Sequence, residues 1–146
     1  MSFRVKQFDR TGANIYLDRL FVENVFNTIC NDFSFQPGML SFTLVSDDEL
    51  LEINNQYLNH NYYTDIITFG HPINGIVLGE IFVSLDRARE NAETFQVDFF
   101  HELSRLFIHG VCHLCGQNDY SDDERKQMQS LEDKYLTLHF VSRGTI

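Results

Sequence analysis

Two histidines four residues apart, then a glycine and an aspartate at steps of three, stand in the stretch HGVCHLCGQND from His109 to Asp119. On a helix each residue turns about 100°, so His109 and His113 face the same side, one turn apart. Two imidazoles so placed can share a metal ion. Gly116 ends the helix a turn later and lets the chain fold back, which brings the Asp119 carboxylate round to the same point. The pattern H-x-x-x-H-x-x-G-x-x-D has the spacing of an extended zinc-protease motif, with Asp as its third ligand. Three protein ligands with an open position are what a catalytic metal site requires. Asn118-Asp119 also suits a turn before the next helix, so a purely local role for Asp119 stays open.

One position departs from the protease pattern. Such proteases carry a glutamate base directly after the first histidine, and here that position is Gly110. Peptide hydrolysis by that route is therefore not expected. A glycine inside a helix costs about 1 kcal/mol relative to alanine. A close approach by another backbone, a substrate or a packed side chain is the expected reason for it. Cys112 and Cys115 form a C-x-x-C, but a structural zinc site needs a second pair and Cys30 is alone. The pair also lies at a helix end rather than a helix start, so buried, reduced cysteines are the simpler reading. Arg105 and His101 precede His109 by one and two turns and extend its polar face or a solvated stripe.

The elements that must position these residues follow from periodicity. Residues 18–33 carry apolar positions at helical spacing, and Gly38–Ser46 alternates Leu40, Phe42 and Leu44 as a half-buried strand does. Ser46-Asp-Asp-Glu49 caps a helix from Asp47 to about Tyr57, and Ser121-Asp-Asp-Glu124 caps one running to about Leu138. Strands are expected at Thr64–Phe69 and Gly75–Leu85, with His71-Pro72 and Asn74-Gly75 turning between them. Helices follow at Asp86–Thr94 and from Asp98 to about Cys115, and a short strand at Ala13–Leu17. The sum is one α+β domain over residues 1–146, a small mixed four-stranded sheet with about five helices.

Composition bounds the function. The 146 residues are 43% hydrophobic and 14% aromatic, enough for one sizeable core. No signal-like N-terminus and no run near the roughly 18 apolar residues of a membrane span are present. With three cysteines in a chain of this size, a reducing cytoplasm is expected. The net charge is −10, so phosphate neutralisation alone cannot carry nucleic-acid binding. A local basic patch or a protein partner is needed, and Arg4, Lys6, Arg10, Arg87 and Arg89 are the candidates.

Two anchors in order give a resemblance. NNQYLNHNYYTDIITF (Asn54–Phe69), followed by LGEI (Leu78–Ile81), is similar to the N-x-x-Y-R-x-x-D-x-P-T-D-V-L-S-F and G-D-I segments of the YbeY endoribonucleases. HGVCHLCGQND is similar to their H-G-x-L-H-L-x-G-Y-D-H. The tail, with Met128 and Glu132, also fits. The resemblance spans roughly residues 40–138. It implies a small α+β domain with one divalent metal, usually zinc, that cleaves single-stranded RNA. It further implies maturation of the 3′ end of small-subunit ribosomal RNA, ribosome quality control, and ribosomal small-subunit proteins as partners.

Carried over by position, the metal ligands are His109, His113 and Asp119. Asp119 stands where the family has a third histidine, so Mn²⁺ or Mg²⁺ competes better with Zn²⁺ than at an all-histidine site. Leu58 stands where the family has an arginine, and leucine cannot hold a phosphate. That role is absent or has moved, with Arg105 and His60 as candidates. Tyr63 replaces the family proline. Glu80 or Asp65 is the candidate base, unless the RNA 2′-hydroxyl is itself the nucleophile. Two other functions remain in view: a ribosome-assembly factor with a structural metal, which Leu58 favours, and a hydrolase of small phosphoesters.

Overall fold

The computed structural model describes residues 3–139. Its elements are β1 (Val5–Asp9), α1 (Arg19–Asp32), β2 (Gln36–Val45), α2 (Asp47–Leu58), β3 (Ile66–Ile73), β4 (Ile76–Ser84), α3 (Leu85–Phe95), α4 (Phe99–Leu114) and α5 (Asp122–His139). The four strands form one mixed sheet in the order β1-β2-β4-β3. β1 and β4 both run parallel to β2, and β3 runs antiparallel to β4. The α+β architecture with five helices on a four-stranded sheet is as expected. Residues 1–2 and 140–146 of the expected domain lie outside the described residues.

Strand alternation decides which residues face which layer. Leu40, Phe42 and Leu44 of β2 and Val77, Ile81 and Val83 of β4 enter the main core, together with Phe26, Phe107 and Ile108 from the helices. α1 and α4 cover this face, and α3 and α5 pack on α4. α2 covers part of the other face over a smaller cluster of Val45, Leu50 and Ile67. α4 is buried on most of its circumference, and Phe107 meets Phe42 edge-on at 5.1 Å between ring centres. Truncating so buried a ring costs about 3–5 kcal/mol.

Two sequence expectations are corrected. Ala13–Leu17 is not a strand. Its backbone is bonded by side chains instead: Ile15 N–H donates to Asp9 at 2.8 Å, while Gln7 accepts from Leu17 N–H and donates to Leu17 C=O. The first strand is Val5–Asp9, an edge strand of which only Val5 is fully buried, so its alternation is faint. His71-Pro72 is not a turn but lies inside β3, itself an edge strand, where proline is tolerated. Asn74-Gly75 alone makes the hairpin, with φ of +52° and +78°, as a tight primed turn requires.

Candidate metal centre and its cleft

α4 carries the two histidines and is stopped where its sequence says. Gly116 adopts φ +102°. Its N–H donates to His113 C=O at 2.9 Å, and Gln117 N–H donates to Cys112 C=O at 3.0 Å, the paired bonds of a Schellman stop. The reversed chain is fixed again at Ser121, whose hydroxyl accepts from Glu124 N–H while Glu124 accepts from Ser121 N–H. Asp119 lies between these two anchors.

The structure brings His109, His113 and Asp119 together, with one ligand atom from each within 4.8 Å of the others. His109 Nε2 is 3.5 Å from one Asp119 oxygen and His113 Nε2 is 3.3 Å from the other. Both distances are long for hydrogen bonds. They leave the three side chains close enough to share one ion. The donor set, two imidazoles and a carboxylate, thus fits a divalent cation in both chemistry and spacing.

Glu132 of α5 completes the arrangement, and spacing along the sequence did not reveal its role. His109 Nδ1–H donates to its carboxylate at 2.7 Å, which leaves Nε2 with a free lone pair toward the cluster. Only the fold brings this residue, 23 positions downstream, to the histidine. Burial, the largest single influence, pulls the His109 pKa down, but the Glu132 bond together with the charges of Glu132, Asp119 and Asp65 makes the net shift upward. His113 is held below its ordinary value by burial and by its neighbour His109.

The cluster opens on a cleft of about 880 Å³, also lined by Leu58, His60, Asp65, Arg105 and Glu102. Asp65 accepts from the Asn91 amide at 3.1 Å. Arg105 is clamped by Glu132 at 2.8 Å and Asp133 at 2.7 Å. His101 is not among the described residues that line the cleft. Glu80 is not brought to the cluster either: Ile81 beside it faces α4, so pleating turns Glu80 to the opposite face of the sheet, with Glu49 and Tyr57. Of the candidate basic residues, Arg10 pairs with Glu49 at 2.6 Å and Arg87 with Asp47 at 3.1 Å.

Gly110 and the cysteines have packing reasons. A Cβ at Gly110 would come within 2.7 Å of Ile81 Cδ1. Cys30, Cys112 and Cys115 are free and buried, and burial pushes the Cys112 thiol up to about 12.

An α+β domain with a His-His-Asp cluster at the end of a buried helix, open to a cleft, has the make-up of a single-metal hydrolase. The chain belongs to the endoribonuclease YbeY family, whose model matches residues 9–139. The chain is 44% identical over 110 residues to endoribonuclease YbeY of Parabacteroides distasonis, covering 75% of this chain and 78% of that one. It is 48% identical over 101 residues to its counterpart in Phocaeicola vulgatus, covering 69% and 73%. The solution structure of TM1509 from Thermotoga maritima is similar, with a TM-score of 0.59, 27% identity, and 90% and 86% coverage.

Proposed function

We propose that the chain is a metal-dependent endoribonuclease acting on single-stranded RNA. On this reading one domain, residues 1–146, works in the cytoplasm on the 3′ end of small-subunit ribosomal RNA, alongside ribosomal small-subunit proteins. The observation that carries it is the convergence of His109, His113 and Asp119 within 4.8 Å of one another at an open cleft, in a chain of an endoribonuclease family. The three free, buried cysteines suit a reducing compartment. No helix of the described residues is long and apolar enough to cross a membrane.

His109, His113 and Asp119 would hold the cation, Zn²⁺ first, with Mn²⁺ or Mg²⁺ as alternatives given the carboxylate. When bound, the ion supplies Lewis-acid polarisation of a phosphoryl oxygen and acidifies water. Glu132 keeps the His109 proton on Nδ1. Asp65, held by Asn91 at the cleft wall, is the candidate to accept a proton from the attacking hydroxyl. Arg105, braced by two carboxylates, adds fixed positive charge to the cleft where Leu58 adds none.

The test is cleavage of end-labelled single-stranded RNA by metal-loaded protein, beside a His113→Ala variant purified identically. Cleavage by the first alone supports the reading, and equal cleavage indicates a contaminating nuclease. Leu58 in the cleft favours a second reading, an assembly factor with a structural metal. No cleavage by either protein, with metal still bound, selects that one.

A further inference from the structure

Among the described residues the cleft is poor in free positive charge. Asp65, Asp119 and Glu132 line it, against the guanidinium groups of Arg105 and Arg125. Both guanidiniums are already engaged, Arg105 by Glu132 and Asp133, and Arg125 by Asp122 and the Tyr120 carbonyl. Beyond the one divalent cation that His109, His113 and Asp119 would hold, a strand of RNA bringing one negative charge per nucleotide finds little among these residues to neutralise it.

The same cleft is rich in exposed rings. Tyr62, Phe95 and Tyr120 line it and are 56%, 62% and 79% exposed. They come from three separate segments: the loop after α2, the last residue of α3 and the residue following Asp119. His60 lies flat against Tyr62, 5.1 Å between ring centres and 19° from parallel. Their side chains are also hydrogen-bonded at 3.0 Å, so the pair is braced as a unit. Exposed rings from three segments lining one polar cleft offer flat, apolar faces of the kind that stack on a planar ligand.

We propose that Tyr62 (backed by His60), Phe95 and Tyr120 are stacking platforms for unpaired nucleobases of the RNA strand crossing the cleft. This deepens the RNA-cleaving reading and rests on it. The bases, rather than the phosphates, then supply most of the affinity, which reconciles RNA binding with an acidic chain. Selection for single strands follows, because bases in a duplex are stacked on each other and cannot reach the rings.

The test is rapid-mixing binding of a 2-aminopurine-labelled RNA oligonucleotide to the full, metal-loaded chain, read before cleavage. Wild type should bind with quenching of the label. Tyr62→Leu, Phe95→Leu and Tyr120→Leu should each bind about fivefold or more weakly. Tyr62→Phe and Tyr120→Phe should bind as wild type does. An oligonucleotide with abasic spacers should bind wild type as weakly as the leucine variants bind the normal one. The slope of log affinity against log salt should be shallower than about −1.4, two phosphates' worth. Unchanged binding by the leucine variants or of the abasic strand overturns the proposal, as does a wild type that fails to bind. Cleavage by metal-loaded wild type with leucine variants that bind normally would leave the enzyme reading standing and remove the platforms alone. Ring-dependent binding without cleavage would do the reverse.

Discussion

His109 can serve a metal only while its Nε2 lone pair faces the cluster, and Glu132 secures this by accepting the Nδ1 proton at 2.7 Å. Removing such a partner weakens metal binding about 10- to 100-fold. Glu132→Ala should show that loss in a chelator-competition titration, and Glu132→Gln, which can still accept the bond, should lose less. Equal affinity in all three proteins would mean that Glu132 does not orient the ligand. Glu102 sets a pH dependence of stability. The residue is 4% exposed. Burial pushes its pKa up to about 7, with Arg105 opposing and Asp65 assisting. Between pH 4.5 and about 7 the folded state therefore holds a proton that the unfolded state releases. Stability falls as pH rises through that window, by on the order of 3 kcal/mol. Glu102→Gln should melt higher than wild type at pH 8 and close to it at pH 4.5. Parallel melting profiles across that range would contradict the assignment.

At the scale of elements, α4 tolerates its internal glycine because of β4. An alanine at 110 gains about 1 kcal/mol of helix propensity. Its Cβ, however, would lie 2.7 Å from Ile81 Cδ1 and 3.1 Å from Cγ1 and Cγ2. Overpacking a fully buried isoleucine costs typically 1–3 kcal/mol. Gly110→Ala should thus be destabilised by about 1 kcal/mol in urea unfolding. Combined with Ile81→Val, which removes the closest atom, the loss should be smaller than the sum of the single losses. Strict additivity would show that the contact is not what excludes a side chain. The sequence spoke clearly wherever a local bond does the work. The caps at Ser46 and Ser121, the stop at Gly116 and the Asn74-Gly75 turn are each made by neighbours in the chain. It was silent where distant partners decide. β1 shows little alternation because one of its residues is fully buried, and Glu132 looks like one more acid on a polar helix until α5 is packed on α4. The spacing of the candidate ligands was legible because all three residues sit on one helix and the loop after its stop, whereas Glu80 lies off the cluster because pleating, not proximity in sequence, decides its face.

For the molecule as a whole, the candidate metal cluster ties α4 to the loop after it and, through Glu132, to α5, beside the ion pairs of Arg105 with Glu132 and Asp133. His109 and His113 belong to α4, Asp119 to the loop that follows, and Glu132, on α5, holds one of the histidines. An ion held at that point binds the folded chain and not the unfolded one. It therefore stabilises by about 2.7 kcal/mol at a free concentration one hundred times its dissociation constant. In a domain of this size that raises the melting temperature by roughly 10 °C. Scanning calorimetry of the full chain with added Zn²⁺, Mn²⁺ or Mg²⁺ should show the rise for the cations it holds, and EDTA should reverse it. His113→Ala and Asp119→Ala should lose the rise, because each removes a ligand. Glu80→Gln should keep all of it, since that carboxylate points from the far side of the sheet. A rise that survives in His113→Ala would place the stabilising ion elsewhere. A rise lost in Glu80→Gln would mean that the two faces of the sheet are coupled in a way the packing of β4 does not provide.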